Sequence, residues 1–319
     1  MANVLIVKPG LLTTIQDGGR WGFQSSGVPV SGPMDPRAHR LANALAGNDP
    51  DAATLEVTLI GPELEFEEAR TVAVAGAEFA LTLDGRVEQV HRRFTVGRGS
   101  RLRFGARARG ARAYVSIAGG LAVPPAFGSR ATHLVSGIGG FEGRALAAGD
   151  RIPLGQIPTG IRLKPDPIGD DALRMPGKPA RIRVLPGPQH DRFVDDALET
   201  LQSAPYTIAK DSDRMGFRLQ GPPLRHRAGA DIISDATPLG VLQVPASEQP
   251  VLLMADRQTT GGYPKLATII TADIGLAGQL APGDTIAFAV CSRADAIAAL
   301  IAEERALMAI EGSRTHDRL

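Results

Sequence analysis

The sequence has 319 residues, enough for two domains, and its 35 Lys and Arg residues balance 34 Asp and Glu residues. This balance excludes a broad basic field for binding nucleic acid or an anionic membrane. The only cysteine is Cys291, so no internal disulfide forms and a reducing cytoplasm is expected. No apolar run approaches about eighteen residues, so neither a membrane span nor a signal peptide is expected.

Short β-type runs lie between the 37 glycines and 24 prolines of the chain. A strand is predicted over residues 4–8, and a helix begins at Pro36, with Asp35 as its N-cap and Gly47 near its end. Asp84 and Gly85 predict a hairpin turn, because a primed turn needs positive φ at both residues. Further strands in this half are predicted over residues 71–75, 79–83, 101–104 and 113–118.

The second half repeats this composition after a stretch without periodicity. Residues 160–180 contain four prolines, which predicts domains at 1–165 and 181–319 joined by a linker at 166–180. A helix is predicted over residues 191–202, and another from Ser292, where Asp295 forms an Asp variant of the capping box. Strands in this half are predicted over residues 181–185, 241–244, 251–255, 267–271 and 284–290.

Three short segments recur in the same order in the two halves. VLIVKPG at residues 4–10 returns as RIRVLPG at 181–187, LIGPEL returns as LQGPPL, and LAAGDRIPL returns as LAPGDTIAF. Such matches arise by chance in a glycine-rich β protein, but three in the same order favour a duplication. The repeats therefore predict two related β-rich domains.

Common catalytic signatures are absent from the sequence. It contains no GxxxxGK[ST] phosphate loop, no HExxH helix, no GxSxG elbow and no CxxC pair. The six histidines are scattered, without a Cys or His partner at ligand spacing, so no metal site is expected.

The run TTIQDGGRWGFQSSGVPVSGPMD, residues 13–35, is a polar loop rich in glycine and proline. One interpretation is that the glycines and prolines only route the chain, and that Asp17 and Arg20 form a local ion pair. A loop of this length inside a compact domain is uncommon unless it binds a ligand. Its polar residues, Thr14, Gln16, Asp17, Arg20 and Ser31, are therefore candidate binding residues.

Two later runs, SDRMGFRLQG at residues 212–221 and MADRQTTGGYPKLAT at 254–268, concentrate polar side chains next to glycines. One interpretation is that these side chains are solvated residues on the surface of a plain barrel. A purely structural turn, however, needs fewer hydrogen-bond donors than these two runs contain. Arg and Lys fit a carboxylate-bearing ligand, Gln and Thr fit amides and hydroxyls, and Asp or Tyr moves a proton. We expect a ligand site here, in one cleft shared with the loop at residues 13–35.

These runs, together with RAYVSIAGGL, GSRATHL, GGFEGR, LPGPQHDRF and LAPGD, closely resemble the allophanate hydrolase subunit 2 family. It is also called the biotin-dependent carboxyltransferase or KipA-like family, and the resemblance runs from about residue 4 to 290. It implies a mainly β fold of two cyclophilin-like β-barrel domains with a few short helices. It also implies a partner homologous to allophanate hydrolase subunit 1, a KipI-like chain, and self-association of the chain is plausible.

Carried over residue by residue, the family's signature gives candidate site residues. Two segments depart from its pattern: residues 245–250 lack the expected glycines, and residues 232–240 lack the usual Glu after Ser. The candidate catalytic residues are Arg214, Asp256, Tyr263 and Lys265, and the candidate substrate-binding residues are Thr14, Gln16, Asp17, Arg20, Ser31, Ser212, Gln243, Gln258 and Thr259.

Roles follow from the side-chain chemistry of these candidates. Arg214 and Lys265 offset developing negative charge, and Asp256 or Tyr263 moves a proton, while the amide and hydroxyl groups orient the substrate. Loop cations away from a core usually contribute little stability. Arg214→Ala and Lys265→Ala are therefore each expected to abolish activity and to leave the fold intact.

The resemblance implies three possible roles. The main expectation is the C component of a heteromeric 5-oxoprolinase, which converts 5-oxo-L-proline to L-glutamate with a hydrolase subunit and uses ATP bound through the complex. The first alternative is the carboxyltransferase component of a urea or amide carboxylase, with biotin on a separate carrier because the chain lacks a Met-Lys-Met motif. The second is a non-enzymatic antagonist of a kinase-inhibitor protein. In every case the chain is expected to be inactive alone.

Overall fold

A computed structural model describes residues 2–157, 161–163, 174–311 and 314–316. Most of the predicted linker at 166–180 therefore lies outside the described residues. The chain forms two compact units: the first is Met1–Arg20, Ser31–Arg174 and Glu304–Leu319, and the second is Trp21–Val30 and Met175–Glu303. Residues 21–30 thus belong to the unit built mainly from the second half of the sequence.

Strands greatly outnumber helices in the described residues, as predicted for a mainly β chain. Up to residue 163 the elements are β1 Asn3–Lys8, β2 Leu12–Gln16, α1 Pro36–Ala46, β3 Thr54–Thr58, β4 Glu63–Phe66, β5 Arg70–Leu83, β6 Arg86–Glu88, β7 Arg93–Val96, β8 Arg101–Ile117, β9 Arg151–Pro153 and β10 Ile161–Leu163. From residue 180 they are β11 Ala180–Pro186, α2 Ala197–Ser203, β12 Tyr206–Ile208, β13 Gly216–Gln220, β14 Asp235–Ala236, β15 Val241–Gln243, β16 Val251–Leu253, β17 Thr260–Gly261, β18 Lys265–Ile269, α3 Ile274–Gly278, β19 Thr285–Val290, α4 Arg293–Glu311 and β20 Arg314–His316.

The first unit contains a nine-stranded antiparallel sheet in the order β2-β3-β8-β4-β1-β9, with β5 pairing to β6, β7 and β8. Alternation along β1 buries Val4 and Ile6, which join one apolar core with residues of the other strands. The predicted turn at Asp84 and Gly85 is confirmed, since both have positive φ and β5 pairs with β6 across them.

Helix α1 covers one face of this unit and is confirmed as predicted. Asp35 accepts a hydrogen bond from the backbone N–H of Ala38 at 3.0 Å, and Gly47 ends the helix in the left-handed region at φ 81°. Leu41 and Leu45 lie on its buried face, in an apolar cluster that includes Tyr114 of β8.

The second unit is a closed barrel in the order β11-β18-β15-β16-β13-β12-β19. All adjacent strands are antiparallel except β11 and β19, which are parallel. Val184, Leu252 and Ile286 are fully buried on these strands. A separate ribbon, β14 paired with β17, carries part of the second polar run.

The strands predicted over 71–75 and 79–83 are one strand, β5, and those predicted over 101–104 and 113–118 are one strand, β8. Two further elements begin two or more residues from the expected start. The helix predicted from residue 191 begins at Ala197, because Phe193 is extended and forms an isolated antiparallel bridge with His226. Strand β18 begins at Lys265, two residues before the predicted start at 267. The helix predicted from Ser292 is confirmed with its capping box: Ser292 Oγ donates to Asp295 Oδ2 at 2.6 Å and accepts from the Asp295 backbone N–H at 3.1 Å. Within the described residues, no helix is long and apolar enough to cross a membrane.

A buried polar cluster lies under α1 and contains a histidine. His39 is 1% exposed and lies edge-on to Tyr114, with ring centroids 5.9 Å apart. Tyr114 donates to the buried carboxylate of Glu56 at 2.7 Å, and the Met34 backbone N–H donates to the same oxygen at 2.9 Å. Burial lowers the pKa of His39, and its Nε2 has no hydrogen-bond partner among the described residues.

This burial predicts a pH-dependent stability. The native state keeps His39 neutral while the unfolded chain binds a proton below about pH 6.5, so the free energy of unfolding falls as pH drops from about 7 toward the native pKa. His39→Gln removes this proton linkage and should flatten the loss of Tm between pH 7.5 and 5.5. Thermal melts across this range measure the effect, with His190→Gln at an exposed position as the control. A His39→Gln profile parallel to wild type would contradict the prediction.

Candidate functional site

The second polar run wraps one end of the barrel between β16 and β18. Its middle, β17, pairs with β14, so that Asp235 lies opposite Gly261 and Ala236 opposite Thr260. A Cβ atom on Gly261 would lie 2.5 Å from Gln243 Nε2 and 3.1 Å from Thr237 Cγ2, so a larger residue here would displace the Gln243 amide. The turn is therefore closely packed against the barrel strand that carries Gln243.

Arg214 and Asp256 join the two polar runs through a bidentate ion pair. Arg214 Nε donates to Asp256 Oδ2 at 2.9 Å, and Nη2 donates to Oδ1 at 3.0 Å. Their side chains are only 5% and 3% exposed. The backbone N–H of Asp256 also donates to the carbonyl of Arg214 at 2.9 Å. The guanidinium and the carboxylate therefore neutralise each other away from solvent.

Lys265 forms the second buried ion pair of this region. Its side chain is 0% exposed, and Nζ lies 3.0 Å from Oδ2 of Asp235, a residue that is half exposed. Gln189 donates to the same oxygen at 3.2 Å and accepts from the Lys265 backbone N–H at 3.2 Å. The hydrogen bond from Lys265 lowers the pKa of Asp235.

The expectation that Arg214 and Lys265 are loop cations away from the core is wrong. Arg214 is buried against Asp256, and Lys265 begins β18 and pairs with Gln243 of β15 in the barrel. Removing either charge leaves a buried carboxylate or a cavity. Substitution at either position is therefore expected to lower stability.

A pocket of about 220 Å3, here called the barrel pocket, opens between the two polar runs. Gln243 is 2% exposed, accepts from Gln258 Nε2 at 3.3 Å and donates to the carbonyl of Tyr263 at 3.5 Å. The Tyr263 side chain is 43% exposed. The pocket is lined by Asp211, Asp213, Met215, Gly216, Arg218, Gln243, Val251, Leu253, Gln258 and Tyr263. The pocket thus combines amide and phenol groups with apolar side chains and with the charged residues Asp211, Asp213 and Arg218.

A second pocket of the same size, here called the arm pocket, also lies within the second unit. Gln258 lines both pockets. The arm pocket is lined by Trp21, Gln24, Val30, Ala236, Thr237, Pro238, Arg257, Gln258 and Thr259. The middle of the loop at residues 13–35 therefore shares a cleft with the turn at 256–265, through Trp21, Gln24 and Val30 rather than through the polar residues selected from the sequence.

Asp17 and Arg20 lie in the first unit, where they hold a neighbouring loop. Asp17 accepts from Ser129 Oγ at 2.6 Å and from the backbone N–H of Arg130. Arg20 is 0% exposed and donates to the carbonyls of Ala126 at 3.0 Å and Ala131 at 2.7 Å. Both side chains thus fix the path of residues 126–131.

The other three candidates of this loop also lie in the first unit and are at most 6% exposed: Thr14, Gln16 and Ser31. Gln16 Nε2 donates to Thr14 Oγ1 at 3.0 Å and to the Thr132 carbonyl at 3.1 Å, and Ser31 Oγ donates to that carbonyl at 2.9 Å. In the second unit, Ser212 Oγ accepts from the backbone N–H of Arg218 at 3.0 Å, which closes the turn before β13. Gln16, Ser31 and Ser212 thus bind the protein's own backbone, and Thr14 binds the Gln16 side chain.

Three residues that lie beside the candidates were not predicted from the sequence. Asp235 pairs with Lys265, Arg257 lines the arm pocket, and Thr237 donates to the Gln258 carbonyl. Their partners lie 20 to 30 residues away in sequence, so no local spacing reveals them. The described residues include no group of three His, Cys, Asp or Glu side chains that could hold a metal ion.

The chain is a carboxyltransferase domain protein, because the family model "Carboxyltransferase domain, subdomain A and B" matches residues 26–290. Among its relatives is the C component of 5-oxoprolinase from Escherichia coli (strain K12), 39% identical over 300 residues that cover 94% of this chain and 95% of the relative. Urea amidolyase of Saccharomyces cerevisiae is 33% identical over 325 residues, which cover 97% of this chain and 18% of the relative. The crystal structure of Kluyveromyces lactis urea carboxylase matches with a TM-score of 0.90 and 31% identity, over 98% of this chain and 29% of that chain. The family resemblance of the motifs is confirmed.

The buried pair of Arg214 and Asp256 predicts a large loss of stability when one partner is removed. Arg214→Met and Asp256→Asn should each lower the free energy of unfolding by roughly 3–5 kcal/mol, because each leaves a buried group unpaired. Arg218→Met is the matched control, since Arg218 pairs with Asp211 at the surface and should contribute at most about 1 kcal/mol. Urea denaturation measures all three, and equal losses in Arg214→Met and Arg218→Met would contradict the prediction.

Proposed function

We propose that this chain is part of an enzyme, the C component of an ATP-dependent 5-oxoprolinase that converts 5-oxo-L-proline to L-glutamate. The observation that carries the proposal is the near end-to-end match with the Escherichia coli protein, of which 95% is covered. The urea enzymes also match nearly all of this chain, which covers only 18% and 29% of their own length.

Opening a lactam requires disruption of amide resonance. Transfer of a phosphoryl group to the amide oxygen, supplied by ATP bound through the complex, would remove this resonance; water would then add to the same carbon, the ring C–N bond would break as the nitrogen gains a proton, and hydrolysis of the resulting acyl phosphate would release phosphate. This chain's part is then to bind the ring, orient its amide and move a proton. The amides of Gln243 and Gln258 supply a donor and an acceptor at the barrel pocket, which match the C=O and N–H of a lactam.

Tyr263 is the proposed proton-transfer residue. Its phenol lines the barrel pocket and is 43% exposed, whereas both carboxylate oxygens of the other candidate, Asp256, accept from Arg214. We assign Arg214 to fixing Asp256 and the turn. Lys265, opposite Gln243 in the barrel, positions Asp235. Thr259 orients a ligand from the arm pocket.

The alternative function is carboxyl transfer to an amide such as urea, and the TM-score of 0.90 with urea carboxylase favours it. Biotin would then arrive on a separate carrier. The amide groups of Gln243 and Gln258 also suit a ureido ring, so the residues of the barrel pocket fit this cofactor. A regulatory role as a KipA-like antagonist would need binding of a KipI-like partner alone.

We propose a KipI-like homologue of allophanate hydrolase subunit 1 and a hydrolase subunit as partners. Helix α4 supports protein association, because Ile297 and Ile301 are 48% and 46% exposed one helical turn apart. This apolar stripe is also suited to self-association of the chain.

The partner requirement predicts no turnover by the isolated chain. ATP-dependent loss of 5-oxoproline should be undetectable with this chain alone, or with any two components, and should appear in the mixture with the subunit 1 homologue and the hydrolase subunit. Urea with a biotin carboxylase and its carrier is the parallel assay. Activity only in the urea assay would replace the main proposal with the alternative, and turnover by the isolated chain would refute the partner requirement.

The proposed role of Tyr263 predicts that Tyr263→Phe lowers catalytic activity and leaves the fold intact. The variant removes only the phenol oxygen of a half-exposed side chain, so Tm should remain within about 1 °C of wild type, since surface substitutions rarely exceed ~0.5 kcal/mol. In the active complex kcat should fall by roughly 10²–10⁴-fold, the usual size of a general acid or base contribution. Wild-type kcat in Tyr263→Phe would assign proton transfer to another group.

A further inference from the structure

Arg257 is a buried cation that forms no ion pair with a carboxylate of the described residues. The residue is 8% exposed, Nε donates to the Thr237 carbonyl at 2.8 Å, and Nη1 donates to the Met254 carbonyl at 3.4 Å. Arg214, another buried arginine of this unit, has a bidentate carboxylate partner in Asp256. The carboxylate next to Arg257 in sequence is thus already occupied by another guanidinium.

Backbone carbonyls fix the orientation of Arg257 but do not neutralise it. A guanidinium has five N–H donors, and the two carbonyl bonds use only two of them. Burial without an ion pair lowers the pKa of Arg257 to about 10, in spite of the opposing effect of Asp256. An uncompensated buried charge of this kind is costly unless an anion completes it.

The same guanidinium lines the arm pocket, so an anion can reach it. Among the described residues that line this pocket, Arg257 alone is charged, so no Asp or Glu of the lining repels an anion. Thr259, Thr237 and Gln24 add hydroxyl and amide groups. Trp21 is 61% exposed and offers an aromatic face on which a small ring can pack.

We propose that the arm pocket is a carboxylate-binding subsite, in which Arg257 binds the anion and Trp21 covers the ligand. A carboxylate matches the planar fork of a guanidinium, and the low exposure of Arg257 strengthens the pairing. Two sources supply this chemistry: the carboxylate of 5-oxoproline, which rests on the proposed function, and a carboxyl group destined for transfer. The subsite itself is independent of which reaction the complex catalyses.

The protein carries its own reporter for this pocket, because Trp21 is its only tryptophan. Sodium 5-oxoproline, bicarbonate and uncharged 2-pyrrolidone are titrated into the full-length chain, and into the reconstituted complex, at constant ionic strength. Saturable change of Trp21 fluorescence is expected with a carboxylate and not with 2-pyrrolidone. Response to 5-oxoproline identifies the substrate as the source, and response to bicarbonate alone identifies the transferred carboxyl group.

Variants then assign the anion site. Arg257→Met should weaken carboxylate binding at least about tenfold, the effect of losing a charge-assisted hydrogen bond, and Arg257→Lys should retain part of the affinity. Arg181→Gln, at an exposed position of β11, is the matched control and should bind as wild type does. Near-UV circular dichroism verifies that each variant is folded, and if Arg257→Met fails to fold, the comparison of 5-oxoproline with 2-pyrrolidone on wild type still decides.

Distinct results separate this proposal from the proposed function. Equal response to 5-oxoproline and 2-pyrrolidone, or wild-type affinity in folded Arg257→Met, would overturn the carboxylate subsite even if the complex cleaves 5-oxoproline. No saturable response to either carboxylate, in the chain and in the complex, would overturn it as well. Binding that depends on Arg257, in a complex without 5-oxoprolinase activity, would leave the subsite standing and refute the function.

Discussion

The bidentate pair between Arg214 and Asp256 is the constraint on which the site depends. These residues are 42 positions apart, and the pair fixes the turn before β13 against the turn after β16. The barrel pocket lies between these same segments, so its shape follows from where this pair holds them. Two buried charges tolerate little displacement, because separating them would leave both uncompensated in a medium of low polarity.

The buried cations of the site differ in whether a carboxylate of the protein pairs with them. Arg214 and Lys265 are satisfied by carboxylates of the protein itself, so they shape the site and contribute a neutral pair to its field. Arg257 is satisfied only by carbonyl oxygens among the described residues and faces a pocket. Arg214 and Lys265 thus stabilise the structure of the site, whereas Arg257 is the cation proposed to bind a ligand.

The sequence correctly predicted those elements whose ends are set by neighbouring residues. Asp35, Pro36 and Gly47 set the ends of α1, and Asp84 with Gly85 sets a two-residue turn, because each acts through its own backbone geometry. The mainly β class followed from the strand-and-turn composition. The boundary between the two domains stays a prediction, since residues 166–173 lie outside the described part of the chain.

The site was harder to predict because its contacts are not local. Lys265 reads as a turn residue in sequence, yet a register shift beside Gln243 extends β18 back to include it. Its pairing with Asp235 spans 30 residues and depends on the β14–β17 ribbon. The polar residues near the N-terminus were recognised as important by composition alone, but composition does not distinguish a side chain that binds a ligand from one that braces a loop, as Asp17 and Arg20 do.

The second compact unit takes residues 21–30 from the first half of the sequence, and the first unit takes residues 304–319 from the end. Each unit thus contains residues from both halves of the sequence, and neither half of the gene encodes a complete unit. Splitting the gene at the middle would remove Trp21 from the wall it forms with Arg257 and Thr259. A lineage that divides this protein into two polypeptides must therefore keep both expressed together, or rebuild that wall from other residues.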